Sequence, residues 1–137
     1  MRTASTFLTG VLLFNAVSSV GGGIALMTGL IPEQIEWVEH TDFPSLFFPG
    51  VILLAIVGGS AAIAAVAMAK RSTGWELASL TSGTIMVVWI VGEIASIRGF
   101  HILQLVYLVT GLLVIWFTPS TRDRESHDQA DGCSPRQ

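Results

Sequence analysis

Four long apolar runs separated by short polar segments organise the chain. Residues 7–31 and 47–69 carry no charged side chain, and residues 77–97 carry one, Glu93. Residues 100–117 carry no Asp, Glu, Lys or Arg, with His101 near the edge. A membrane-crossing helix needs about 20 mostly apolar residues, because each adds about 1.5 Å across a hydrocarbon core of about 30 Å. All four runs meet or approach that length, the last being the shortest. The connections at 32–46, 70–76 and 98–99 are brief, which forces neighbouring helices to run antiparallel. The expected fold is an all-α integral membrane four-helix bundle with antiparallel neighbours, its spans at about 7–31, 47–69, 77–97 and 100–117.

The first run has a rival reading as a signal peptide, since Arg2 precedes it and small residues follow at 18–23. A signal h-region spans about 7–15 residues and ends at a small-x-small site. This run is longer and no A-x-A follows it, so a retained helix is expected. At the other end the character changes after Phe117. Pro119 is expected to stop the fourth helix, because proline supplies no amide and crowds the preceding turn. Residues 118–137 are expected to form a disordered polar cytoplasmic tail, with too little apolar surface to fold alone. Cys133 lies there as an unpaired thiol on the reducing side.

Composition sharpens this picture. The chain has 137 residues, 51% hydrophobic and 12% charged, where soluble domains average about 25% charged. That excludes a disordered chain and disfavours a soluble globule. A single cysteine excludes a disulfide framework and a CxxC pair. The net charge of −3 offers no basic footprint, so nucleic acid is not an expected partner. The distribution of basic residues sets an orientation. With the N-terminus inside, Arg2, Lys70, Arg71, Arg122, Arg124 and Arg136 are cytoplasmic, and only Arg98 is outside. Both termini are therefore expected in the cytoplasm. The first outer loop then holds Glu33, Glu36, Glu39 and Asp42 without a basic residue. Trp37, Trp75 and Trp116 fall near predicted interfaces, where amphipathic rings settle, and Trp89 falls deeper.

Helix association in lipid depends on close packing and interhelical hydrogen bonds. Asn15, Ser18, Ser19 and Gly22 share one stripe of the first helix. Ala55/Gly59, Gly58/Ala62, Ser79/Gly83 and Gly92/Ser96 are small-xxx-small pairs. A bundle seam is the expected role; a polar groove marked by Asn15 is the alternative. Gly21-Gly22-Gly23 lacks the Lys-Ser/Thr of a phosphate loop and lies in an apolar run, so it reads as a closely packed helix segment.

Glu93 is the candidate residue for chemistry. An acid inside a span costs about 2.5–3.5 kcal/mol at the bilayer centre, and less one turn from the edge, where Glu93 lies. One reading is a proton or cation site. The favoured reading is a structural acceptor paired with Arg98, Gln104 or Tyr107. His101, Gln104 and Tyr107 recur along the next helix and join Glu93 and Arg98 in a polar cluster. That cluster fits either a ligand pocket or a capped helical hairpin, the latter preferred. Thr73 and Glu76 match a capping box. Glu36 and His40, four residues apart, are weak candidates for holding a divalent metal; a solvated acidic loop is expected instead. No histidine pair suits haem, no G-x-S-x-G or H-E-x-x-H occurs, and the halves show no inverted repeat. No cofactor is expected.

The runs Phe48-Pro49-Gly50-Val51-Ile52-Leu53, Val57-Gly58-Gly59-Ser60, Gly74-Trp75, Trp89-Ile90-Val91-Gly92-Glu93 and Ile97 to Gln104 resemble a group of small bacterial four-span membrane proteins. That group's pattern is an (I/F)PG-apolar run, GGS, RR-x-W, W-I-x-x-E and LQ-x-x-Y. The likeness covers about residues 43–111, with a looser match in the first span. Trp75 lies a few residues beyond Lys70-Arg71, a slight departure. The resemblance implies four helices and a bacterial plasma membrane, and no activity. The expected function is a non-enzymatic accessory or assembly module of the cell envelope, in contact with lipid and with other membrane proteins or its own copies. The alternatives are a small transporter or channel subunit using Glu93, and a lipid-binding protein or membrane enzyme using Glu93, Arg98 and His101.

Overall fold

In lipid no water can satisfy exposed backbone groups, so apolar spans of this length must close their hydrogen bonds internally as helices. A computed structural model of the chain describes residues 2–30, 45–97 and 101–132. It contains four helices: α1 (Arg2–Thr28), α2 (Phe47–Ala69), α3 (Trp75–Ile97) and α4 (Ile102–Gly132). Each includes a segment long and apolar enough to cross a membrane, and no strand occurs among the described residues. The chain is a multi-pass membrane protein with a four-helix bundle. α1 packs on α2 and α4, and α3 also packs on α2 and α4, so α1 and α3 face each other across the diagonal. The end bearing Arg2 and Lys70 is called proximal, and the end bearing Thr28, Phe47, Ile97 and Ile102 distal.

Helix ends follow local chemistry. Gly29, at φ 64°, closes α1, and the Leu30 amide donates to the Ala25 carbonyl at 3.1 Å, a Schellman closure. α2 ends in the same way with an arginine in the left-handed position: Arg71 has φ 49°. Its amide donates to Met68, and that of Ser72 to Ala67. Gly74 at φ 91° then precedes Trp75, the first residue of α3. This start puts Gly74, rather than Thr73, at the capping position. It leaves Glu76 in the first turn, where a carboxylate meets the positive end of the helix dipole.

Two boundaries differ most from expectation. α1 starts at Arg2, because residues 2–6 extend the same ladder. α4 does not stop at Pro119 but continues to Gly132, so the polar residues expected to be disordered are helical that far. A proline removes only its own amide, here the donor to Ile115, and the ladder resumes on either side.

The core is layered. A proximal cluster joins Leu8, Leu12, Ala64, Met68, Trp75 and Val114. A distal cluster joins Val57, Met86 and Ile90, with Trp89 and Tyr107 packed against it. On α3, Ser79 and Ser82 fall between them, and across the diagonal Asn15 and Ser19 follow Leu12; all four are buried. Large apolar side chains such as Val17, Ile63, Leu77 and Trp116 face outward; on a soluble protein such a surface would aggregate, and in a bilayer it meets lipid.

Glycines set the closest helix approaches. A Cβ at Gly23 would stand 2.7 Å from the Gly50 carbonyl oxygen, and one at Gly83 3.0 Å from that of Gly111. These crossings join α1 to α2 and α3 to α4. Within α2, Leu53–Gly58 form a π-helical stretch. One added residue in a turn rotates the remainder of the helix by about 100°. The buried face consequently runs through Gly58, Ala61 and Ala65, while Ala55 and Ala62 are exposed.

Candidate functional site

The residues that gather at the distal half come from all four helices. Trp89 and Glu93, one turn apart on α3, share a face. Ser18, Ser19 and Gly22 meet them from α1, and His101, Gln104 and Tyr107 from α4 and the residue before it. Together with Leu53 of α2 they line a partly open cavity of about 240 Å³, mostly apolar but carrying the polar side chains just named. Against the other side of Glu93 lies a larger apolar groove of about 490 Å³, walled by α2 residues such as Pro49 and Ile56 and by Val88 and Gly92 of α3. Leu26, Trp89 and Glu93 line both spaces. Glu93 thus stands at the seam between a small pocket that carries polar groups and a larger apolar groove.

Each predicted residue takes a definite place. Glu93 is half-buried one turn from the distal end of α3. His101 is exposed and lines the same cavity as Glu93. Gln104 is buried, and its Oε1 accepts the His101 backbone amide at 3.0 Å. That is the return half of a capping box, which helps fix the start of α4. Tyr107 is half-buried and stacks on Phe14, with ring centroids 6.3 Å apart and planes at 26°. Asn15 is 1% exposed, one helical turn from Ser19 on the same face, and its Oδ1 has no hydrogen-bond partner among the described residues. Asn15 does not line the cavity; Ser19 does. Arg98, Glu36 and His40 lie outside the described residues. Among the described residues, no group of three or more His, Cys, Asp or Glu side chains could hold a metal ion.

Two contributors escape a reading of the sequence alone. Trp89 was legible only as a deep tryptophan; its i, i+4 spacing to Glu93 was the available signal. Gly92 was expected on a helix seam, and it instead borders the groove, where an added Cβ meets nothing within 4 Å.

The arrangement can hold a molecule with a polar end and an apolar body. The cavity is lined by a carboxylate, hydroxyls and two aromatic residues, and the groove is lined by mostly apolar side chains. Among the described residues, no Lys or Arg lines either space. Compared with known proteins, the chain matches no family model, no curated protein and no solved structure.

Proposed function

We propose that this protein is a non-enzymatic module of a bacterial plasma membrane that holds a lipid or lipid-like amphiphile in the distal half of its bundle. The observation that carries the reading is Glu93 at the junction of the two spaces. A carboxylate facing only hydrocarbon is costly, and a groove of this size beside it accepts a chain while the cavity accepts a head. Such a module fits an accessory role in the envelope, because binding needs no reactive group. The basic residues on the proximal side argue that this side is cytoplasmic, so the site belongs to the outer half of the membrane. Transport or conduction draws less support. The proximal cluster fills the bundle with Leu8, Leu12 and Val114, each at most 1% exposed.

Mass spectrometry of the intact protein released from native membranes tests this reading. The wild type should retain lipid. Gly92→Leu, which fills the groove from an open position, should release it. A wild type that carries no lipid under gentle extraction overturns the proposal.

A further inference from the structure

We infer that the smaller cavity beside Glu93 seats the primary ammonium of a phospholipid headgroup whose chain lies along the apolar groove. This rests on the amphiphile-binding reading and assigns its headgroup chemistry. Charge gives the sign of the group beside Glu93: among the described residues the cavity holds this carboxylate and no Lys or Arg side chain, with the His101 imidazole at its exposed edge. A cationic group beside Glu93 therefore meets attraction, and the headgroup phosphate is left to the exposed edge at His101.

Hydrogen-bond supply narrows the choice among cations. Ser19 is 2% exposed and lines the cavity, and its Oγ has no partner among the described residues. Buried polar atoms in this condition are costly. A primary ammonium brings three N–H donors, so it can donate to the Ser19 Oγ and the Glu93 carboxylate together. A quaternary ammonium carries none and leaves Ser19 as it is.

Shape agrees with charge. Trp89 and Tyr107 both line this space, and a cation over an aromatic face is attracted by its quadrupole, most strongly at tryptophan. The cavity is about half the size of the groove, about 240 against about 490 Å³, which matches a small head on a longer chain. Because Glu93 and Trp89 border both spaces, the head and chain of one molecule can occupy them together.

The full-length protein, reconstituted in nanodiscs holding equal amounts of ethanolamine, choline and glycerol phospholipids with identical chains, provides the test. Bound lipid is read by native mass spectrometry after gentle release. The wild type should enrich the ethanolamine lipid about tenfold over the choline lipid, the size of one charge-assisted hydrogen bond. Glu93→Gln should abolish that preference, and Ser19→Ala should reduce it several-fold. Should Glu93→Gln fail to fold, Ser19→Ala and displacement of the lipid by free ethanolamine decide the matter instead. Equal retention of ethanolamine and choline lipids, or a preference that survives both variants, overturns the ammonium assignment. Lipid held without headgroup preference but released by Gly92→Leu overturns that assignment alone. A wild type that retains no lipid defeats the amphiphile reading as well.

Discussion

Alanine placed in turn at Gly21, Gly22 and Gly23 should give three different stabilities from one chemical change. A Cβ at Gly21 meets nothing within 4 Å, one at Gly22 touches only the Leu53 Cδ2 at 3.4 Å, and one at Gly23 stands 2.7 Å from the Gly50 carbonyl oxygen and 2.7 Å from the Leu54 Cβ. All three positions are helical, so each substitution gains a similar helix propensity, up to about 1 kcal/mol. The gain cancels when the variants are compared with one another. What remains is the clash at Gly23, where the obstacle includes backbone and cannot rotate aside. Overpacking of this kind costs about 1–3 kcal/mol, so Gly23→Ala should lie about 5- to 150-fold below Gly21→Ala in its folding equilibrium. Gly22→Ala should stay near Gly21→Ala, because the end of a leucine side chain can yield. The measurement is an SDS titration of the protein in mixed micelles, with folding followed by tryptophan fluorescence. Three variants agreeing within about 0.5 kcal/mol, the ordinary scatter of surface substitutions, would refute the close α1–α2 crossing.

Other outcomes rest on single contacts. Gln104→Ala strips the His101 amide of its acceptor and should lower stability by about 0.5–2 kcal/mol, the usual range for a lost cap; the same SDS titration reads it. Arg71→Gly should stabilise by roughly 0.5–1 kcal/mol, since the left-handed conformation at φ 49° costs an ordinary residue about 1–2 kcal/mol and glycine returns part of that through its freer unfolded state. A lower midpoint for this variant would contradict the turn geometry. In intact cells, Cys133 should resist a membrane-impermeant thiol reagent and react after permeabilisation; labelling from outside would reverse the proposed orientation.

The sequence by itself determined the number of spans, their antiparallel order and the residues most worth attention. Span length and apolar content are properties of consecutive residues, so the second run, 47–69, coincides with α2. Short loops bring α3 back against α4, and this draws Glu93, His101, Gln104 and Tyr107 to one cavity. The polar stripe of Asn15, Ser19 and Gly22 was legible for the same reason, because spacing within one helix is local. What the tertiary structure alone decided is which face of each helix meets which neighbour. The π-helical stretch in α2 turned the expected Ala55/Gly59 pair away from the seam and brought Gly58, Ala61 and Ala65 onto it. Gly92 borders a groove instead of a crossing, and Gln104 spends its carbonyl on the start of α4. The fourth helix passes Pro119 because the loss of one amide bond does not unravel its neighbours. Small residues on different faces look alike in a string of letters. Only the approach of another backbone, as Gly50 approaches Gly23, separates a position that must stay small from one that is merely small.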